Sequence, residues 1–276
     1  EGMSNVIENY VYGDPITIRE LLTKEGYTFA WDRTLPPTMP DEDIVVNGIF
    51  TPINYTITYH VDGGNNPIQN PNNYNIESSI IFKPATKVGY SFDGWYDDET
   101  AGNKVTAITP GQMGNINLYA RYSLITYHIT YYLDGGTNHI SNPTIYTILD
   151  DPFELKKPTK TGYTFIEWFD SEDFDFEVIE INPIIDYGNI NLYAQWEINE
   201  YTITFNTNGG TPVDSITQNY DSAIAPPANP TKEGHTFSGW NPIVPARMPA
   251  ENMTITAQWT VNQYTITFDS DGGTAV

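Results

Sequence analysis

One short pattern occurs four times in this chain and constrains its fold more than any other feature. It reads Thr-Lys-x-Gly, then Tyr or His, then Thr or Ser, then Phe, with a Trp two or three residues later. The copies cover residues 23–31, 86–95, 159–168 and 231–240. Self-similarity of this kind is typical of a tandem array of small modules. No catalytic motif competes with it, so function has to be inferred from what such arrays do.

Two further patterns flank each copy and set the period. Before it comes Tyr-x-Ile-Thr-Tyr or Phe running into a Gly-Gly pair, at residues 55–64, 127–136, 201–210 and 264–273. Alternating β-branched and aromatic residues followed by Asp-Gly or Asn-Gly predict a strand that enters a tight turn. After it comes a second alternating segment, at residues 117–122, 191–196, 254–259 and, more loosely, 45–50. Each copy therefore predicts an opening strand, a Trp strand and a closing strand.

These patterns divide the chain into five predicted segments. Repeat 1 covers residues 1–50 without its opening strand, repeats 2 to 4 cover 55–122, 127–196 and 201–259, and residues 264–276 form the opening strand and turn of a fifth repeat. Short connectors without glycine predict stiff joints rather than flexible linkers. Repeats 2 and 3 carry an acidic insertion of about eight residues before the closing strand, which makes them long forms. We expect the chain to be a window of a longer array.

The spacing of Phe and Trp in the central pattern predicts a β-bulge. In repeats 2 to 4 the two residues lie three apart, which places them on opposite faces of a regular strand. In repeat 1, Phe29 and Trp31 lie two apart and share a face. Both are core residues in the other copies only if an extra residue is accommodated at Gly94 and Gly239. We therefore predict a bulge at these glycines and a Trp in the core of each repeat.

Two further predictions concern local structure. Residues 146–155 are the clearest example of a second extended segment within a repeat. Helical periodicity is nearly absent, and residues 18–25 are the one stretch that predicts one or two helical turns.

Composition excludes several function classes. The chain has no cysteine, so it contains no disulfide and no thiolate metal site. Its formal charge is -23 and its pI is near 4.2, which argues against binding to nucleic acid or to an anionic lipid surface. The same charge suits an extended, self-repelling molecule. No apolar run approaches the roughly 20 residues of a membrane span.

Few residues offer chemistry. The histidines at 60, 128, 139 and 235 lack the spacing of zinc ligands, and we expect His60 and His128 to face solvent. The acidic insertions, with Asp97, Asp98 and Glu99 in one and residues 172–177 in the other, do not match an EF-hand loop. The one surface feature in every copy is the lysine of Thr-Lys-x-Gly, which a turn explains equally well. We predict no catalytic, cofactor-binding or metal-binding residue, and the ligand-binding residues stay unknown.

The three patterns in fixed order resemble the Listeria–Bacteroides repeat, also called the internalin B-type B repeat. Residues 201–210, 230–240 and 255–259 carry the resemblance most clearly, and it extends over the entire chain. Glu167 departs from the pattern, because the family has a glycine before the Trp. The resemblance implies small β-grasp-like modules on secreted or wall-attached bacterial proteins, without catalytic residues. We therefore expect a mainly β fold, with tandem units joined end to end in an elongated string.

Three functions remain open at this point. The first is a non-enzymatic stalk and adhesion region of a large, extracellular bacterial cell-surface protein, or adhesin. The second makes the repeats themselves ligand-binding modules for surface proteins or glycans of a host or neighbouring cell. The third makes them accessory repeats of a secreted enzyme. No nucleic acid, cofactor or membrane insertion is expected in any of the three.

Overall fold

The structure is a computed structural model that describes residues 6–17, 19–269 and 271–273. The chain divides into two compact units, Glu1–Ile125 and Thr126–Val276. The described residues form 19 strands and no helix. Several small sheets follow one another along the chain, which confirms the prediction of a mainly β fold with tandem units.

The first unit contains nine strands in two successive groups. Repeat 1 contributes β1 (Tyr27–Trp31) and β2 (Gly48–Pro52), which form an antiparallel pair. Repeat 2 contributes β3 (Tyr55–His60), β4 (Asn73–Tyr74), β5 (Ile80–Ile81), β6 (Tyr90–Tyr96), β7 (Lys104–Val105), β8 (Ala107–Ile108) and β9 (Ile116–Leu124).

The second unit contains ten strands, again in two successive groups. Repeat 3 contributes β10 (Tyr127–Tyr132), β11 (Ile145–Tyr146), β12 (Phe153–Glu154), β13 (Tyr163–Phe169), β14 (Glu180–Ile181) and β15 (Ile190–Ile198). Repeat 4 contributes β16 (Glu200–Asn206), β17 (Ile216–Asn219), β18 (His235–Asn241) and β19 (Met253–Val261).

Each of repeats 2 to 4 is built on the same mixed sheet. The strand orders are β4-β3-β9-β6-β7, β11-β10-β15-β13 and β17-β16-β19-β18. The opening strand runs parallel to the closing strand, and the closing strand runs antiparallel to the Trp strand. The closing strand is therefore central. Alternate residues at its middle are buried in the core, in keeping with the pleat: Leu118 and Ala120, Leu192 and Ala194, and Ile255 and Ala257.

The predicted bulges are confirmed. The register of β6 against β9 shifts between Phe92 and Gly94, and that of β18 against β19 shifts between Phe237 and Gly239. Both glycines have positive φ, 150° and 122°, which disfavours other residues. In repeat 3 the shift falls between Phe165 and Trp168. The bulge is thus kept where Glu167 replaces glycine. Repeat 1 has no shift, as its shorter spacing predicts.

Each of repeats 2 to 4 has its own small core beneath the inner face of its sheet. Trp95 is 2% exposed and Trp168 is 1% exposed, so both lie in the core as predicted. Trp240 is half-buried and packs edge-on against Phe205, with ring centroids 4.9 Å apart. Three separate clusters of this kind explain how roughly 70-residue units fold without disulfides.

Two local predictions are wrong. The extended segment over residues 146–155 is broken into β11 and β12, because Asp150 accepts a hydrogen bond from the Thr147 amide at 2.6 Å and closes a turn. Residues 19–25 form no helix, and Ile18 lies outside the described residues. Leu21 and Leu22 are exposed, so no apolar face packs against the rest of the unit. A helix this short needs such packing to be stable.

Candidate functional site

The Gly-Gly turn and the lysine of Thr-Lys-x-Gly contact each other within each of repeats 2 to 4. The two residues at the turn corner have positive φ, for example 43° at Asp62 and 75° at Gly63, as a type I′ turn requires. The lysine ammonium then caps the turn. Its Nζ lies 2.9 Å from a turn oxygen in all three complete repeats: Lys87 from Asp62, Lys160 from Asp134 and Lys232 from the Asn208 carbonyl.

The same lysines lie over aromatic rings. Lys24 Nζ is 3.7 Å from the Tyr27 ring centroid, and Lys160 Nζ is 4.1 Å from that of Tyr163. A cation at this distance is attracted to the ring face. The one surface feature that the sequence placed in every copy is therefore engaged inside its own repeat. The fold accounts for these lysines without a ligand.

The second glycine of each pair lies beneath the aromatic residue of the closing strand. Trp196 donates a hydrogen bond from Nε1 to the Leu133 carbonyl at 3.0 Å, and Trp259 donates to that of Thr207 at 3.0 Å. A Cβ at Gly210 would lie 2.5 Å from Trp259 Cζ2. Real Cβ atoms do not approach this closely, so only glycine fits beneath the indole.

We expect Gly210→Ala to destabilise repeat 4 by about 1–3 kcal/mol, because the alanine methyl overpacks against the indole. Chemical denaturation of the chain, followed by hydrogen exchange in residues 201–259, measures the loss. The control is the same substitution in a Trp259→Phe background, where the clashing ring atom is gone. An equal cost in both backgrounds would contradict the steric explanation.

The acidic insertions use several of their carboxylates to build their own turns. Asp98 Oδ1 accepts backbone hydrogen bonds from Thr100 and Ala101, both at 3.0 Å. These bonds, Ala101 first, lower the pKa of Asp98. Asp97 accepts the Asn103 amide at 2.6 Å, and Asp175 accepts the Ser171 hydroxyl at 3.2 Å. In the part of the chain that the structure describes, no three His, Cys, Asp or Glu side chains form a group that could hold a metal ion.

The predicted histidine positions are confirmed for the two that the sequence places on opening strands. His60 on β3 and His128 on β10 are both exposed. His139 is exposed in a loop, and the Nδ1 of His235 lies 2.8 Å from the Glu233 carbonyl. The structure does not bring the four histidines together.

A cleft of about 480 Å³ lies in repeat 4, between residues 211–216 and 225–230. Its walls are prolines, alanines, Val213, Ile216 and short polar side chains, and Asp214 is the one ionisable residue among them. General acid–base or nucleophilic catalysis needs a second group within hydrogen-bond reach of the first. The cleft lining offers no such pair.

Sequence reasoning missed an exposed apolar residue in a hydrogen-bonded loop of both long repeats. Ile68 is 95% exposed and Ile140 is 98% exposed. In each loop, a buried asparagine two residues later forms hydrogen bonds to the backbone of a lysine. Asn70 bonds to Lys83 in repeat 2, and Asn142 bonds to Lys156 in repeat 3. The repeated Ile-x-Asn-Pro, 72 residues apart, is the sequence signal that could have identified these loops.

Sequence reasoning also missed the aromatic residues on the outer face of the sheet. In repeat 2, His60 and Tyr119 stack with their ring centroids 4.4 Å apart and their planes at 9°. In repeat 3, Tyr132 and Tyr193 stack at 4.4 Å and 7°. Repeat 4 has Asn206 and Thr256 at the equivalent register. The stacked pairs therefore occur only in the two long repeats among those with this sheet.

Small mixed sheets whose turns, glycines and lysines recur for structural reasons define a protein assembled from tandem β modules. The chain belongs to the Listeria-Bacteroides repeat family: the family model for the Listeria-Bacteroides repeat domain matches residues 55–121, 127–195 and 201–243. This confirms the resemblance that the three sequence patterns indicate.

Two named bacterial proteins are similar to this chain in sequence. A protein of Evansella cellulosilytica named "Putative membrane protein" is 32% identical over 236 residues, which cover 79% of this chain and 33% of the relative. Internalin H of Listeria monocytogenes serovar 1/2a is 39% identical over 122 residues, which cover 40% of this chain and 21% of the relative. The matched region thus spans about a third or less of either relative. Across the described residues, no helix is both long enough and apolar enough to traverse a bilayer.

Proposed function

We propose that the chain is a stiff, non-enzymatic spacer in a bacterial cell-surface protein, where it holds other parts of that protein away from the cell. The observation that carries this proposal is the joint between successive repeats. The joints between repeats 1 and 2 and between repeats 3 and 4 are built from specific contacts rather than from a flexible linker. The glycine of Thr-Lys-x-Gly lies at the centre of each.

The joint between repeats 1 and 2 shows the contacts. Gly26 accepts a hydrogen bond from the Ile53 amide of the connector at 2.9 Å. Ile76 of repeat 2 packs directly on this glycine, since a Cβ at Gly26 would lie 2.5 Å from Ile76 Cδ1. Tyr27 also donates a hydrogen bond from its hydroxyl to Glu77 at 2.6 Å. The two repeats therefore contact each other through the backbone, an apolar side chain and a polar pair.

The joint between repeats 3 and 4 is built in the same way. Gly162 accepts the Asn199 amide at 3.0 Å, and Tyr220 of repeat 4 packs against Gly162 so closely that a Cβ there would overlap the ring. Tyr163 meets Tyr220 edge-on, with centroids 6.2 Å apart. The same backbone hydrogen bond occurs twice more, both times at 2.9 Å: the Ile125 amide donates to the Gly89 carbonyl, and the Asn262 amide donates to the Gly234 carbonyl. These contacts support joints that resist bending.

Other observations support a surface role without catalysis. The charge of -23 keeps a chain of repeats soluble and self-repelling. The family and the internalin relative favour a bacterial surface protein as the setting, with surface proteins or glycans of a host or neighbouring cell as partners. The cleft in repeat 4 lacks an acid–base pair among its lining residues, which supports the non-enzymatic assignment.

Small-angle scattering tests the spacer. One repeat of about 70 residues has a radius of gyration of roughly 11 Å and is about 28 Å across, so four in line reach about 110 Å. We expect a radius of gyration of about 30 Å or more for the whole chain. A compact domain of this length would have a value of roughly 19 Å, and that result would contradict the spacer.

A variant of the joints tests whether their packing contacts make the chain stiff. Ile76→Ser together with Tyr220→Ser removes both packing contacts and leaves the repeat cores intact. We expect unchanged circular dichroism and a scattering profile with the raised high-angle region of a flexible multidomain chain. A profile identical to that of the wild type would mean that these contacts do not hold the joints.

A further inference from the structure

We propose that the outer sheet face of each long repeat binds a neutral polysaccharide, through the stacked pairs His60–Tyr119 and Tyr132–Tyr193. This inference rests on the proposed function, because it supplies the surface protein with a ligand class. The ligand is a chain of uncharged hexopyranose rings. Repeat 4, which has no such pair, does not take part.

The pairs present an accessible ring face. His60 is the register partner of Tyr119, and Tyr132 is that of Tyr193, on adjacent parallel strands. Stacking covers one face of each ring. Tyr132 is nevertheless 46% exposed, and His60 is exposed as well. Solvent therefore reaches these residues beyond the stacked face, and the flat C–H face of a pyranose can stack on a ring there.

Hydrogen-bonding groups lie beside the rings. Asn117 and Asn191 precede Tyr119 and Tyr193 by two residues, so they share the outer face, and both are exposed. Asn117 Oδ1 lies 3.1 Å from His60 Nε2, which ties the amide to the ring pair. A few amides and hydroxyls around an apolar platform are what orient a polyhydroxylated ligand.

Charge favours a neutral ligand over an anionic one. The chain carries a net charge of -23, which repels sialylated and uronic-acid glycans as well as nucleic acid. Glu172 of the insertion lies close to the platform of repeat 3. Burial and Tyr132 raise the pKa of Tyr193, and the Glu172 carboxylate adds to the rise. The Tyr193 hydroxyl, like any tyrosine hydroxyl at neutral pH, can donate a hydrogen bond to a sugar hydroxyl.

The fold does not require the rings. In repeat 4, Asn206 pairs with Thr256 at the same register, and the sheet forms with the same strand order. On the Trp strand, two aromatic residues have contacts that involve the insertions: Arg121 of β9, which donates to the Asp98 carbonyl of the insertion at 3.0 Å, lies 3.9 Å over Tyr96, and Phe174 of the insertion meets Phe169 at 5.2 Å. These contacts account for Tyr96 and Phe169, whereas His60 and Tyr132 are the rings that stay exposed.

A glycan array tests the proposal on the full chain. The array carries neutral hexose and N-acetylhexosamine oligosaccharides beside sialylated and uronic-acid ones. We expect binding to neutral oligosaccharides, and a fall in apparent affinity of at least about fivefold in the variant His60→Ala, Tyr132→Ala, since truncating an aromatic contact residue commonly costs this much. Both substitutions lie at exposed strand positions, and circular dichroism checks that the variant is folded.

Two matched variants complete the test. Asn206→Ala changes the equivalent position of repeat 4, and Tyr132→Phe keeps the ring, so both should bind as the wild type does. Three results would each overturn the proposal: no bound neutral oligosaccharide, preference for the acidic ones, or undiminished binding by the double alanine variant. Small-angle scattering from the same preparations tests the spacer separately. A loss of glycan binding can therefore be distinguished from a loss of the stiff joints.

Discussion

Trp168→Ala is expected to unfold most of repeat 3. The indole is 1% exposed and meets Tyr131 and Phe165 edge-on, with centroids 5.3 and 5.4 Å away. Replacing a core Trp by Ala costs roughly 3–5 kcal/mol. At roughly 0.05–0.15 kcal/mol per residue, a unit of this size holds only a few kcal/mol of stability. A single substitution therefore removes most of what keeps the repeat folded.

Hydrogen exchange resolves the effect by region. Amides of residues 127–196 should lose protection, while those of residues 55–122 keep it, because repeats of an array are stabilised individually and by their nearest neighbours. Trp240→Ala is the matched control, since Trp240 is half-buried and its loss should cost repeat 4 less. Native protection of residues 127–196 in Trp168→Ala would place the indole outside the core.

The sequence predicted features that depend on the spacing within one strand, but not contacts that depend on which strands are neighbours. The strands carrying Phe92–Trp95 and Phe237–Trp240 were predictable with their bulges, because a period of two and a three-residue spacing are reconciled only by one extra residue. The stacked rings of Tyr119 and Tyr193 were not predictable as a surface. Alternation shows that these residues share a face, but only the strand order places Tyr193 beside Tyr132.

Local competition explains the other misses. The segment around Asp150 has strand-forming neighbours, yet its carboxylate binds the Thr147 amide and turns the chain. Residues 19–25 are mostly of helix-forming types, but they are exposed and pack against no apolar surface. In both places a single contact, made or missing, overrides the propensity of the segment. The buried asparagines were missed for a related reason: Asn142 is polar, and its burial depends on the backbone of Lys156, which lies 14 residues away.

The substitution Asn142→Ala should cost about 2–4 kcal/mol, because it leaves the Lys156 amide without its partner and removes the other hydrogen bonds of the buried asparagine. The side chain accepts a hydrogen bond from the Lys156 amide at 2.7 Å and donates to the Lys156 carbonyl at 2.8 Å. A third bond, 2.7 Å long, goes to Asn138 Oδ1. Alanine replaces none of them. Urea denaturation with hydrogen exchange over residues 127–196 measures the cost.

Asn138→Ala separates the backbone bonds from the side-chain bond. It removes one partner and leaves Asn142 paired with Lys156, so it should cost only about 1 kcal/mol. Equal costs for the two variants would show that the Lys156 bonds contribute nothing. In both variants the Lys156 carbonyl keeps its hydrogen bond from Trp168 Nε1, 3.3 Å long, so the difference in cost is due chiefly to the bond with the Lys156 amide. Repeat 4 builds its core without this contact, because it has no asparagine between its Gly-Gly turn and β17.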